Sequence, residues 1–341
     1  MVSIKEISKI SGYSKTTVSK ALNNYSDVSR ETKEKILKIC KENGYVPSAL
    51  GRSLSTKRTF TIGVVFSEYS NQGLTHPFFS ELLNEIKNEI EKYGYDILLI
   101  GNKVGDFVHS YLDHCNQKAV DGVIVLSAYE TDPGIIELVN SDLPMVVMQS
   151  HHKTKPCFIC DNEQAITDIF EHVYEYGHRN IGFIKGDMEA NSGKERYNAF
   201  LKAMKNHNLE VNENWVYDGK YYTIEEGRRA CEAMLKLDDK PTVLICSSDT
   251  LALGCMIEMF AQGYKIPEDL SLTGFDNIPI SKMFGKKLTT IDQNIKEFAS
   301  QAVDSLLKQI NGEGEKISKN VIKGTLVARE TVNKLNLYKK R

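Results

Sequence analysis

Between Ser14 and Asn23 the chain reads Ser14-Lys15-Thr16-Thr17-Val18-Ser19-Lys20-Ala21-Leu22-Asn23. On a helix, Val18 and Leu22 share one apolar stripe, which leaves Lys15, Thr16, Ser19, Lys20 and Asn23 on the other faces. Side chains of these types can donate to guanine O6 and N7, pack on thymine methyl groups or bind phosphate oxygens. The chemistry on offer is contact with nucleic acid. A second constellation is Cys157-Phe158-Ile159-Cys160 with His151 and His152 just upstream, a spacing that could hold a metal. In a strand, positions three apart point to opposite faces and the two sulfurs would diverge. A buried strand is therefore expected there, and no metal. Ser, His and Asp are present without a nucleophile elbow, and no Gly-rich phosphate loop ending in Gly-Lys-Ser/Thr occurs, so neither an enzyme nor a cofactor is expected.

Short helices must position the Lys15–Asn23 face. Ser14 can cap the helix that carries it. Ser3 with Glu6 forms a capping box for the preceding helix, Ile4, Ile7 and Ile10 give its apolar stripe, and Gly12 supplies its stop. Two short helices joined through a Gly make a helix-turn-helix, whose second helix reads the major groove. Ser29 caps a third helix with Ile36, Leu37 and Cys40 facing inward, closed by Gly44. Charge agrees with this division. Residues 1–60 hold 12 Lys/Arg and 5 Asp/Glu, whereas 61–341 hold 31 and 40, so a head of +7 precedes a body of −9.

From Thr61 the pattern changes to short apolar runs alternating with amphipathic helices. Strands are expected at Ile62–Phe66, Ile97–Ile100, Gly122–Leu126 and Met145–Met148. Helices are expected at Pro77–Tyr93 (on Phe78, Leu82, Ile86 and Ile90), more weakly at 107–119, and near 133–141. The alternation restarts with a helix from Asp161 to Tyr176, strands at Ile181–Ile184, Thr242–Cys246 and Ser271–Thr273, and helices near 192–207, 224–237 and 250–262. Two consecutive sets of βα units predict two Rossmann-like subdomains with a ligand cleft between the carboxyl ends of their strands. The fold class is thus a small all-α helix-turn-helix domain followed by an α/β body. No apolar run approaches the roughly 18 residues that span a membrane, and no signal peptide opens the chain, so a cytoplasmic protein is expected. Seven scattered cysteines suit reduced thiols.

Val18-Ser19, Leu22-Asn23, Gly44-Tyr45, Pro47 and Arg52-Ser53-Leu54 together resemble the N-terminus of the LacI/GalR family of transcription repressors. The body resembles the same family at Asp161-Asn162, Gly177-His178-Arg179, Glu195-Arg196, Gly274-Phe275-Asp276, Leu288-Thr289-Thr290 and Ala328-Arg329-Glu330. The resemblance implies a periplasmic-binding-protein-like body crossed three times by the chain. Its domains would be a head at 1–46, a hinge helix and linker at 47–60, an effector-binding and dimerisation domain at 61–331 and a short tail at 332–341. The first lobe would hold about 61–161 and 292–323, the second about 162–291 and 324–331. The tail has no sustained heptad, so no tetramerising coiled coil is expected.

A homodimer reading a pseudo-palindromic operator in double-stranded DNA is implied. Lys15, Thr16 and Lys20 would contact bases, and Ser19 on the same helix would contact the DNA. Ser3, Ser14, Asn23 and Tyr45 would hold phosphates. The hinge residues 48–54 of both subunits would pair in the minor groove, with Leu54 as the wedge. Gly51 stands where the family generally has Ala, so the hinge is expected to be disordered off DNA. In the cleft, Arg196 and Asp276 match effector-contacting positions, Gln293 another, and Phe78 and Phe79 the first-lobe wall. Tyr221 or Tyr222 would supply a further aromatic. Ser248 stands where the family usually has Asn, with Asp249 expected to cap a helix starting at Thr250. The effector implied is a sugar or sugar derivative. Purine co-repression, a phosphoprotein co-regulator, an activator or catabolite-type regulator and a cytoplasmic sugar-binding protein are the alternatives.

Overall fold

In the computed structural model the described residues are 2–23, 25–66, 73–104, 107–108, 110–129, 131–283, 285–314 and 317–335. Residues 67–72 and the end of the tail lie outside them. The chain forms two compact units, residues 1–61 with 119–121, and residues 62–118 with 122–341.

The first unit contains α1 (Ile4–Ser11), α2 (Lys15–Leu22), α3 (Arg30–Glu42) and α4 (Ala49–Thr56). The capping box of α1 is complete. Ser3 Oγ accepts from the Glu6 amide, and Glu6 Oε2 accepts from the Ser3 amide at 2.7 Å. Gly12 follows at φ +73, a left-handed position that costs glycine nothing. Ser14 and Ser29 cap α2 and α3 by accepting from Thr17 and Thr32 amides at 3.0 and 3.3 Å. Ile7, Val18, Ala21, Val28, Ile36 and Cys40 make the core, with Ile39 and Tyr45 packed against it. Two expected core residues face water instead, since Ile10 and Leu37 are 54% and 50% exposed. The core takes Ile36, Ile39 and Cys40 at helical spacing, and Leu37 lies off that stripe.

The residues expected to form a hinge are helix α4. Its Ser48 makes no side-chain cap, but the Lys57 amide closes the far end on Ser53 O at 2.8 Å, and the Arg52 guanidinium lies 3.3 Å over the Phe60 ring. A cation stacked on an aromatic face gives this short helix a tertiary anchor.

The second unit has two lobes. In chain order the first contributes β1 (Thr61–Phe66), α5 (Pro77–Glu91), β2 (Asp96–Ile100), the hairpin β3 (Lys103–Val104) and β4 (Phe107–Val108), α6 (Tyr111–Lys118), β5 (Gly122–Ser127), α7 (Pro133–Val139), β6 (Met145–Met148) and β7 (Cys157–Cys160). The second contributes α8 (Asn162–Glu175), β8 (Ile181–Lys185), α9 (Asn191–Asn206), β9 (Val216–Asp218), α10 (Ile224–Leu235), β10 (Val243–Cys246), α11 (Asp249–Ala261) and β11 (Ser271–Thr273). Then come β12 (Thr290–Asp292), α12 (Ile295–Ile310), β13 (Lys319–Ile322) and β14 (Thr325–Val327).

The first sheet runs β13-β7-β6-β5-β1-β2 and the second β11-β10-β8-β9. β13 pairs in parallel with β7, so the chain returns to the first lobe through α12 after Asp292. Antiparallel β12 and β14 form a separate two-stranded ribbon, with Thr290 opposite Val327. Strands β5, β6, β7 and β10 are buried along nearly their whole length, as both-face coverage by helices requires. Where a helix was expected over 107–119, the β3–β4 hairpin takes the first part and α6 begins only at Tyr111.

Candidate functional site

The head presents α2 outward. Lys15 and Thr16 are exposed, and Ser19, Lys20 and Asn23 are half-buried. Ser14 is engaged as the α2 cap, and Asn23 Nδ2 donates to Ser19 O at 2.9 Å. Ser3 is held by Glu6 at the start of α1. Tyr45 packs partly into the core, and burial pushes its hydroxyl pKa up. Lys20 Nζ donates to Asp27 Oδ2, a partner that periodicity alone does not reveal. On α4, Leu54 is 85% exposed, an apolar side chain left without a core.

Gly51 sits mid-helix with open space around it, since an added Cβ would meet only Ser48 Cβ at 3.9 Å. Ala therefore fits and favours the helix by about 1 kcal/mol. Gly51→Ala is expected to tighten operator binding about fivefold or more, read by fluorescence anisotropy at fixed salt. Weaker binding would mean that the hinge is not helical on DNA.

Between the lobes lies a pocket lined from both sides. It collects residues at or just past the carboxyl ends of strands: Ser127 to Tyr129 at the end of β5, Gln149 after β6, Asp187 after β8 and Asp276 after β11. That is where an α/β sheet exposes polar backbone and side chains to a ligand. His76, Phe78 and Phe79 come from the start of α5, Arg196 from α9, and Tyr221 and Tyr222 from the loop before α10.

Arg196 is the fixed point. Nε donates to Asn162 Oδ1 at 2.8 Å, Nη1 to Ser247 O at 2.7 Å, and the guanidinium plane lies 3.6 Å from the Phe275 ring centre. Asp276 Oδ1 lies 3.9 Å from Nη1, close enough for attraction but not for a hydrogen bond. Arg196 Nη2 and Asp276 Oδ2 make no hydrogen bond among the described residues, and both residues line the pocket, so a donor and an acceptor are left for a ligand. Gln293 Nε2 donates to Asp276 Oδ1 at 2.6 Å, while Gln149 Nε2 donates to Gln293 Oε1 at 3.1 Å and ties in the first lobe. Burial raises the Asp276 pKa to about 6 against the lowering pull of Arg196 and Gln293.

The backbone around Asp276 is strained into place. Asp276 and Asn277 have φ +117 and +54, conformations that L residues rarely adopt. Asp249 holds this loop, accepting from Ile278 N at 2.9 Å and from Thr290 Oγ1 at 2.5 Å. A side chain at Gly274 would strike Asp249 Oδ1 at 2.2 Å, so glycine is required there. Burial and the neighbouring Asp276 push the Asp249 carboxyl well above its ordinary range.

The walls are aromatic. Phe79 meets Phe66 and Phe78 edge-on at 4.9 and 5.2 Å, and the Tyr222 ring fills the space where a Gly186 side chain would stand. Phe78 also serves the buried stripe of α5, so both phenylalanines line the cavity. Of the two tyrosines, Tyr221 is 44% exposed at the rim and Tyr222 is half-buried. Tyr129 donates to Asp187 Oδ2 and links the lobes across the pocket.

Ser248 does not line this pocket. Its hydroxyl caps α11 by accepting from Leu251 N at 3.2 Å, and Asp249 is the first residue of that helix, not its cap. Conversely, His76, Tyr129, Gln149, Asp187, Asn191 and Ser192 line the pocket without having been singled out. Three of them follow directly on buried strands, so the carboxyl-end rule would have found them. His76 is buried beside Phe79, its Nδ1 has no hydrogen-bond partner among the described residues, and burial lowers its pKa to about 4, so the imidazole is neutral. The Cys157–Cys160 run is strand β7, and among the described residues no group of His, Cys, Asp and Glu could hold a metal ion.

A three-helix head with a helix-turn-helix, joined to a two-lobed body with a ligand cleft, defines a ligand-binding regulator of bacterial type. Residues 3–48 match the family model described as bacterial regulatory proteins, lacI family. Residues 59–330 match periplasmic binding proteins and sugar binding domain of LacI family. The chain belongs to this family and is a DNA-binding transcriptional repressor of it.

Similar relatives include the HTH-type transcriptional repressor PurR of Aliivibrio salmonicida, 32% identical over 98% of this chain and 100% of the relative. PurR of Actinobacillus pleuropneumoniae serotype 3 is 33% identical over the same shares. Among solved structures, the lac repressor dimer bound to operator and the anti-inducer ONPF aligns with a TM-score of 0.79 at 22% identity, over 97% of this chain and 99% of that one. The complex of the transcriptional regulator CelR with cellobiose aligns at 0.71 and 23%, over 97% and 100%. At that identity the structures speak for the fold alone. No helix among the described residues is long and apolar enough to cross a membrane.

Proposed function

We propose that this repressor is a homodimer whose operator affinity is set by a neutral sugar or sugar derivative bound between the lobes. One observation carries the reading: the buried Arg196–Asp276 pair lines an aromatic-walled pocket with Nη2 and Oδ2 unbonded to the described residues. Vicinal hydroxyls both donate and accept, so a guanidinium edge beside a carboxylate edge grips them, while ring faces cover the sugar's C–H side. Asp187 and Asp276 outnumber Arg196 on the lining and His76 is neutral, which disfavours a phosphorylated effector.

A second reading is a free nucleobase, favoured by the four rings of Phe78, Phe79, Tyr129 and Tyr222 around the pocket. Two heads related by a two-fold axis would read a pseudo-palindrome, with Lys15, Thr16 and Lys20 on base edges, Ser19 on the DNA beside them, Ser3, Ser14, Asn23 and Tyr45 on phosphates and Leu54 in the minor groove. Lobe closure on the effector would change how two hinges can pair, to the extent that the effector prefers one state.

The test is selection from a random-operator pool at fixed salt, with panels of neutral sugars, sugar phosphates and free nucleobases. An enriched palindrome whose binding a neutral sugar alters supports the first reading. A response to a nucleobase alone supports the second, and no response to either class removes both.

A further inference from the structure

The proposed reading face carries a carboxylate. Asp27 lies between α2 and α3, one residue before the buried Val28, and takes the ammonium of Lys20 from the last turn of α2. The two side chains are 41% and 54% exposed, so burial does not force them together. An exposed ion pair of this kind adds little to folding. On DNA, a carboxylate is repelled by phosphates and costs affinity, which a surface built only for phosphate contact would avoid. Among the described residues Lys15 makes no ion pair, so the pairing is particular to Lys20.

A joined ammonium and carboxylate offer donors beside an acceptor. Across the major-groove edge of a G·C pair the order is N7 acceptor, O6 acceptor, N4 amino donor. An A·T pair presents acceptor, donor, acceptor, so an ammonium there finds no two neighbouring acceptors. We infer that Lys20 and Asp27 read one G·C pair per half-site as a unit, the ammonium on guanine O6 and N7 and the carboxylate accepting from the paired cytosine N4 amino group. This rests on the proposed placement of Lys20 on base edges. The carboxylate also keeps Lys20 from settling on a phosphate, so it trades non-specific affinity for discrimination. Its pKa is lowered by the bond to Lys20, which keeps it ionised as an acceptor.

The experiment is operator selection and competition binding with the full-length chain and its Lys20→Ala, Asp27→Ala and Asp27→Asn variants. Unchanged thermal unfolding midpoints confirm that each variant is folded, as exposed positions allow. Lys20→Ala and Asp27→Ala are expected to relax the same G·C position, each lowering discrimination there about tenfold. Asp27→Ala should also tighten non-specific binding and steepen the logarithmic salt slope by up to about 0.9 per subunit, because the freed ammonium can take a phosphate. Asp27→Asn, which keeps the shape but loses the pure acceptor, should lose the preference for G·C as well. If Lys20→Ala relaxes a position that both Asp27 variants leave intact, the paired readout is overturned while Lys20 keeps its place. If Lys20→Ala relaxes no position, the placement of Lys20 fails and the pairing with it.

Discussion

Arg196→Ala is expected to leave operator binding in place and to abolish its response to the effector, with effector affinity falling at least about 100-fold. The size follows from what the side chain does. Asn162, the Ser247 carbonyl and the Phe275 face fix the guanidinium, so its unbonded Nη2 is already held in place before a ligand arrives. Preorganised charge-assisted hydrogen bonds in a dry site are the strong ones, and two of them lost give a factor of this order. The head folds as its own compact unit, so removal of a cleft residue does not touch the Lys15–Asn23 face.

Stability should fall too, by about 3 kcal/mol, because truncation leaves the Asp276 charge and the Ser247 carbonyl buried without their partner. Arg196→Lys keeps the charge and loses the planar fork, so it should recover stability better than binding. Calorimetric titration with the effector from the selection panel, beside thermal unfolding, separates the two effects. A loss of effector affinity below about threefold would remove Arg196 from the binding set.

Much of this arrangement was legible in the sequence, for reasons specific to each element. The caps of α1, α2 and α3 were readable because Ser–x–x–Glu and lone Ser signals act within one turn. Buried parallel strands stand out as unbroken apolar runs, and the α5 stripe as a four-residue repeat. The misses have a common cause in tertiary contact. Whether Ile10 is inside depends on where the other helices lie, which periodicity within one helix cannot tell. Ser248 and Asp249 are both good caps, and the choice fell to Ser248 because the Asp249 carboxylate is drawn off to Ile278 and Thr290, about thirty and forty residues later. Tyr129 and Asp187 meet across two lobes and carry no shared motif. The short β9 and β14 lack an apolar run and take their form from neighbours.

The cleft should also make the protein's pH response unusual. A paired carboxylate commonly has its pKa lowered by folding and stabilises the fold as pH rises. Asp276 does the opposite, since burial outweighs Arg196 and Gln293 and its pKa rises from the ordinary 3.8 to about 6. Between those values the folded chain keeps a proton that the unfolded chain has lost. Stability therefore declines as pH climbs from about 4 to about 6, by about 3 kcal/mol from this group, and is level above. Asp276→Asn should remove this share of the decline in thermal unfolding scans across the window, while buried Asp249, also raised, keeps its own. Binding follows the same linkage with its own sign. Effector hydroxyls that donate to Oδ2 favour the ionised carboxylate, so below about pH 6 binding must first expel a proton. Affinity should fall by up to about tenfold per pH unit in the wild type and show no such dependence in Asp276→Asn. Tighter binding on acidification would instead mean that the protonated carboxyl donates to the effector, and the grip assigned to Asp276 would have to be reversed.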